Sequence, residues 1–304
     1  MFFRSVNIGA LNFRLTGDFH FLMPSLGLMS CSSSNPCPFC CRARTTVGGV
    51  KRWEEGEVEP RTMGNLNANY LAWVMEGEVQ TTTQTKKWKS VTSPLLVEGE
   101  GDTWDMLVID KVVPGSLHLY LATNDVFNHM EKHCWREVKA VLKELFGIEP
   151  HSYQGKERNY QGPEIRRVMA GLHKLFPLMK EDPNKKFYFD VLLLMKKLAN
   201  QLFSLDLHPE WVATLQELKL ALATLNTHTS FPMTPKFHII TEHCGEWVER
   251  QGRSLGRESE QAGESLHHLW KRLVEGQGEV KDKSSEAFRQ QILWCLVKFN
   301  SDNV

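Results

Sequence analysis

Pro36-Cys37-Pro38-Phe39-Cys40 sets two thiols three positions apart among turn-forming residues. Thiolates at C-x-x-C spacing can grip one tetrahedral zinc ion. The same spacing serves redox enzymes, where it opens a helix beside a βαβ unit. The Ser, Asn and Pro at 30–38 make a loop instead, which suits a zinc knuckle better. Free thiols in a surface loop are the plain alternative. A knuckle needs two more ligands. Whichever part of the chain supplies them is tied to this loop, and that choice decides the fold.

Working outward, residues 11–16 (Leu-Asn-Phe-Arg-Leu-Thr) alternate apolar and polar, the period of a half-buried strand closed by Gly17-Asp18. Residues 19–28 are apolar and read as a short helix. Residues 42–61 are polar and Gly-rich and read as loop. Residues 64–76 predict a helix with Leu66, Tyr70, Leu71 and Val74 on one side. Residues 77–103 look like an excursion, and Met106-Leu107-Val108-Ile109 like a short buried strand. From Leu117 the period changes to that of helices, at about 117–146, 163–180, 185–204, 209–227, 235–251, 258–275 and 284–300. Pro150, Pro163, Pro183, Pro209 and Pro235 punctuate them. The expected class is α+β, mostly helical: a few strands in the first third, then a long helical body. Three segments follow, 1–116, 117–250 and 251–304.

Composition narrows the function. The 304 residues are 41% apolar and 24% charged, an ordinary globular balance. Thirty-six basic and 36 acidic side chains give zero net charge, which argues against a strongly basic nucleic-acid coat but permits a local basic groove. No apolar run reaches the roughly 20 residues of a membrane span, and Met1-Phe2-Phe3-Arg4 opens no secretory leader, so an intracellular protein off the membrane is expected. Seven cysteines, four of them at 31, 37, 40 and 41, favour a metal site in a reducing compartment over disulfides.

Two imidazole pairs compete for the knuckle. His238 and His243 have H-x4-H spacing, within the range of structural zinc sites. Residues five apart on a regular helix are rotated by roughly 140°, so this pair demands an irregular helix. His129 and His133 lie i,i+4 on one helical face with Cys134 adjacent, and spacing alone prefers them. Cys31 and Cys41 are further candidates. Among acids, Asp18 ends a strand, where a carboxylate can reach a cleft and bind a divalent cation; Asp after Gly is also ordinary turn chemistry. Glu260 and Glu264 lie in Ser259-Glu260-Gln261-Ala262-Gly263-Glu264-Ser265, near a helix start where acids also serve as caps. Lys86-Lys87-Trp88-Lys89 would suit a DNA backbone, or a solvated loop.

The order of these features resembles that of DDE transposases of the Transib type and the related catalytic subunit of the V(D)J recombinase. Gly17-Asp18 after a strand is followed by C-x-x-C, by residues 112–125 entering a helical body, by H-x4-H, by Glu249-Arg250 and by Ser-Glu-x-Ala-Gly-Glu-Ser. The likeness is strongest over 11–41, 112–130 and 235–268. It implies a partial RNase H-like fold interrupted by a zinc-clamped all-helical insertion. It assigns Asp18 as the second catalytic aspartate, Glu264 as the catalytic glutamate with Glu260 as fallback, and Cys37, Cys40, His238 and His243 as the zinc ligands. It further implies Mg²⁺ or Mn²⁺ at the carboxylates, DNA transposon ends as substrate, a homodimer, and the nucleus.

One departure matters. The family carries a first aspartate upstream, yet residues 1–17 contain no acid, and Asp110 is out of order. The expectation is a catalytically incomplete, transposase-derived chain. The alternative is a non-catalytic zinc-stabilised module that binds DNA or protein. A zinc hydrolase is disfavoured, because four protein ligands close the metal site.

Overall fold

The computed structural model describes residues 15–16, 19–78, 86–95, 105–153, 156–157 and 159–258. The chain divides into two units, Met1–Ser259 and Glu260–Val304, and every described residue belongs to the first. Among the described residues that unit is mostly helical with two small two-stranded sheets, compatible with the α+β expectation. Asp18, Glu260 and Glu264 lie outside the described residues, as do the helices expected at 258–275 and 284–300.

Helix α1 (Phe19–Ser25) leads into the knuckle loop. Residues 42–61 are not loop throughout: β1 (Arg44–Val47) and β2 (Val50–Trp53) form an antiparallel hairpin in the register Val47↔Val50 to Arg44↔Trp53. Its turn is Gly48-Gly49, with φ of 58° and 79°. Two consecutive left-handed residues make the tight turn whose twist matches paired strands, and glycine adopts that conformation without strain. Polar side chains concealed the strand pattern because the hairpin tip is exposed.

After the hairpin the chain returns beside the knuckle, with Cys41 N–H donating to Glu59 O at 2.9 Å and Arg61 N–H to Phe39 O at 2.9 Å. Helix α2 (Met63–Met75) starts at Thr62, whose hydroxyl accepts from Asn65 N–H while the Asn65 side chain accepts from Thr62 N–H. Its buried face is Met63, Leu66 and Trp73; of the expected Leu66, Tyr70, Leu71 and Val74, Leu66 is buried and Tyr70 packs against the core, whereas Leu71 and Val74 are exposed. Part of the expected excursion is also core: Ser90 and Val91 are buried, and Val91 bridges Leu28.

The run 106–109 is not a strand. Leu107 makes one bridge to Thr62, and Val108–Lys111 then coils into a single helical turn, α3. A four-residue apolar run carries too little periodicity to tell the two apart. Just beyond it Leu15 pairs in parallel with the chain: Leu15 N–H donates to Lys111 O (2.8 Å) and Val113 N–H to Leu15 O (2.9 Å).

The helix expected over 117–146 is three: α4 (Ser116–Tyr120), α5 (Thr123–His133) and α6 (Val138–Phe146), the last closed by Gly147 in the left-handed region. A short hairpin, β3 (Ser152–Tyr153) and β4 (Lys156–Glu157), precedes α7 (Gly162–Ala170) and α8 (Phe176–Met179). Pro163 sits in the first turn of α7, where its missing N–H costs nothing. Two 19-residue helices, α9 (Pro183–Gln201) and α10 (Trp211–Thr229), pack on each other. They bury Tyr188, Leu192, Met195 and Leu198 against Trp211, Leu218, Leu222 and Leu225, the 3–4 spacing of an amphipathic face. Helices α11 (Pro235–Glu242) and α12 (Cys244–Gln251) follow. One apolar core runs from Leu22 to Leu255 and includes Cys37, Phe39 and Cys40. Each fully buried Leu or Phe in it contributes about 1.5–3 kcal/mol. No described helix is long and apolar enough to cross a membrane.

Candidate metal centre

Cys37, Cys40, His238 and His243 converge. All four are buried, and one ligand atom from each lies within 4.8 Å of the others. A zinc tetrahedron, with bonds of about 2.3 Å to sulfur and 2.0–2.1 Å to nitrogen, has ligand–ligand edges of roughly 3.3–3.8 Å. The group therefore needs only small side-chain movements to close on an ion.

The thiol half is built around Arg61, which is fully buried. Its Nε donates to Cys37 O (2.9 Å) and Cys40 O (3.1 Å), and its Nη2 to Asn35 O (3.2 Å) and Lys89 O (2.9 Å). No described carboxylate pairs with it. Asn35 adds Nδ2–H to Cys41 O at 2.8 Å and accepts nothing from the thiols. Phe39 N–H donates to Cys37 Sγ at 3.4 Å, an arrangement that favours thiolate. The knuckle is thus shaped by backbone carbonyls gathered on one guanidinium.

The imidazole half comes from α11 and the break behind it. Pro235 starts α11, and Thr234 Oγ–H donates to the partly buried Asp125 carboxylate at 2.9 Å. His238 Nε2 lies 3.3 Å from Cys40 Sγ. Its ring stacks on Trp53 at 3.9 Å and 15°, and Trp53 Nε1–H is fixed by Met233 O at 2.8 Å. His243 is the residue between α11 and α12, with φ −118° and ψ −25°. The H-x4-H spacing demanded a helical irregularity, and it lies at His243 itself. The His238 and His243 rings sit 5.1 Å apart at 75°.

Neither His243 ring nitrogen makes a hydrogen bond, although the residue is only 5% exposed. A buried imidazole without partners costs free energy unless something ligates it. Nδ1 lies 3.6 Å from Glu246 Oε2, in ion-pair range. The electrostatics point the same way. The hydrogen bond from Cys37 pulls the Cys40 thiol far down, helped by His238 and His243. Burial, and then the proton shared with Cys40, push Cys37 up. Burial lowers His238. Burial alone would lower His243 too, but Cys40 and Glu246 outweigh it and raise it. Cys40 and His238 are thus shifted toward the deprotonated forms that a metal takes, while Cys37 and His243 hold their protons more tightly and a divalent ion has to displace them. The donor set, two soft sulfurs and two imidazoles, fits zinc. The buried group can hold a metal ion.

The competing residues lie elsewhere. His129 and His133 stack on each other, and His129 Nδ1 is 2.7 Å from Tyr188 Oη. Cys31, Cys41 and Cys134 are free thiols outside the group. Asp110 faces Arg250 at 3.4 Å. Lys86 pairs with Glu54, and Lys87 pairs with Glu76 while lying over Trp88, so these cations are answered by acids. Three contributors escaped sequence reading. Trp53 was hidden with the hairpin, though Gly48-Gly49 signalled it. Glu246, three residues past His243 on a helix, was findable by spacing. Arg61 carried no signal.

A cleft of about 240 Å³ opens beside the group, lined by Phe39, Cys40, Arg61, His243 and Glu246 among others. No protein-family model matches this chain, and no curated protein matches its sequence.

Proposed function

We propose that Cys37, Cys40, His238 and His243 hold one structural zinc ion that staples the knuckle segment to the helical body. The carrying observation is the convergence of four buried ligand atoms from segments some 200 positions apart (Cys40 and His238 are 198 apart) within 4.8 Å. All four positions belong to protein side chains, which favours a structural over a hydrolytic role. In this role Cys37 and Cys40 supply negative charge, His238 and His243 supply neutral nitrogen, and Arg61 and Trp53 hold the two halves in register.

The wider reading is a transposase-derived protein of the DDE, Transib-like type, of whose three catalytic carboxylates this chain supplies two. The residue order quoted above supports it. In this reading Asp18 and Glu264 are two of the three carboxylates that would bind Mg²⁺ or Mn²⁺, on a nuclear protein that meets transposon-end DNA as a homodimer. Two carboxylates do not position both ions of a two-metal site on one phosphate.

Elemental analysis of the purified chain tests the centre: one zinc per chain is expected, lost in Cys37→Ser and His243→Ala. A nicking assay on supercoiled plasmid with Mg²⁺ or Mn²⁺ tests the ancestry. No cleavage is expected; cleavage abolished by Asp18→Ala would show a complete site within these residues.

A further inference from the structure

The two imidazoles are held differently. His238 is fixed by a ring stack, whereas His243 Nδ1 faces Glu246 Oε2 at 3.6 Å. That carboxylate does not float. Glu246 Oε1 accepts from Arg250 Nε at 3.0 Å, and Arg250 Nη1 reaches Asp110 Oδ1 at 3.4 Å. Asp110 stands on α3, whose first N–H, at Val108, donates to Arg61 O at 2.9 Å. Arg61 is the residue that gathers the carbonyls of both cysteines. A path therefore runs from the knuckle through the Arg61 backbone to α3, and from Asp110 on α3 through Arg250 and Glu246 to His243.

We propose that Glu246 is the outer carboxylate of this metal centre: it takes the Nδ1–H of His243, leaves Nε2 for the metal, and is itself positioned by Arg250 and Asp110. The inference rests on the zinc reading above. The chemistry is that of a ligating imidazole whose second nitrogen donates to a carboxylate, which fixes the tautomer and raises the basicity of the ligating nitrogen. The 3.6 Å separation is a few tenths of an ångström beyond a hydrogen bond, a gap that one side-chain rotation on an exposed face closes. Glu246 is 38% exposed, and Glu246→Gln keeps the side chain's shape while removing its charge, so the packing of α12 stays intact.

The test is zinc affinity of the full chain, by competition with a chromogenic chelator, for wild type, Glu246→Gln, Arg250→Gln and Cys37→Ser. Glu246→Gln should still bind one zinc, about 10–100-fold more weakly. Arg250→Gln should show a smaller loss in the same direction. The visible absorption bands of the Co²⁺-loaded protein should shift in Glu246→Gln, while its metal-free melting temperature matches wild type; a merely structural Glu246 would do the reverse. Wild-type affinity and unshifted Co²⁺ bands in Glu246→Gln, with zinc still lost in Cys37→Ser, would overturn this proposal and leave the centre standing. No zinc in the wild type would overturn both. Should Glu246→Gln not yield folded protein, Arg250→Gln and Asp110→Asn decide by the same two readouts.

Discussion

Residues 35–61 and the helix pair α9–α10 occupy one core but are held by different physics. The helix pair is two apolar stripes buried on each other, with Met195, Leu198, Leu218, Leu222 and Leu225 all fully inaccessible. Its cohesion is spread over many interchangeable contacts. Apart from the β1–β2 hairpin, the knuckle segment has irregular backbone, and its order runs through a few polar groups: one guanidinium on four carbonyls, one indole on one imidazole, and two thiols. Distributed apolar burial degrades gradually, whereas a keyed polar assembly fails when one key is removed. The two regions should therefore respond to different perturbations.

Metal removal should have the largest effect and should fall on one side only. Structural zinc contributes ~10–16 kcal/mol to metal-dependent peptide folds, and a smaller share is expected in a chain with its own core. Hydrogen exchange after chelation should show lost protection across 35–61 and 235–243, with α9 and α10 unchanged. Equal loss in α9 and α10 would erase the distinction between the regions.

Leu218→Ala should act in the opposite place. Leu218 is fully buried in α10, and such a truncation costs about 2–5 kcal/mol through lost transfer energy and a residual cavity. Denaturant midpoints should fall by the same amount with and without zinc, and zinc affinity should not change.

Arg61→Gln should cost about 1.5–3 kcal/mol for each of the four hydrogen bonds that the glutamine amide does not replace, the usual value for a charged donor. Unlike Leu218→Ala it should also weaken zinc binding, because the carbonyls of Cys37 and Cys40 lose their shared donor. A denaturation series in zinc and in chelator checks this: the loss should be larger in zinc.

The same contrast explains what the sequence showed. Amphipathic period and proline positions located α7, α9, α10 and α11, because in those segments burial follows a 3–4 repeat and Pro163, Pro183 and Pro235 stand at helix starts. The breaks that split 117–146 into three helices leave the apolar pattern nearly continuous, so they were illegible. In the first third the period is short and the partners are distant. Val108 and Ile109 are buried whether in a strand or a turn of helix, and nothing local chooses. The four ligands were legible because Cys and His at fixed spacings are chemically conspicuous. Their supports were not: Arg61 is 24 positions from Cys37, and a lone arginine in a polar stretch looks like surface.

The smallest expected effect is an acid sensitivity that belongs to the helical body alone. His129 on α5 donates to or accepts from Tyr188 Oη at 2.7 Å, and Phe231 meets its ring edge-on. Burial, with the His133 and Lys132 charges beside it, lowers its pKa to about 4 from the ordinary 6.5. The folded state therefore resists a proton that the unfolded state accepts. Between pH 6.5 and pH 4 the unfolded chain binds more protons at this site, so stability falls as the pH falls and is restored above 6.5. His129 is only partly buried, so solvent screening limits the effect to ~1 kcal/mol or less. Zinc release at low pH would add its own slope through Cys37, Cys40, His238 and His243, so the measurement belongs in the metal-free protein. His129→Asn keeps a hydrogen-bonding atom near the Nδ1 position and removes the titration. Denaturant unfolding of the metal-free chain at pH 7.5, 6 and 5 should show a shallower decline in His129→Asn than in wild type, while the zinc affinities at pH 7.5 agree. Parallel pH slopes in the two proteins would move the acid-sensitive group out of the helical body and onto the histidines of the knuckle.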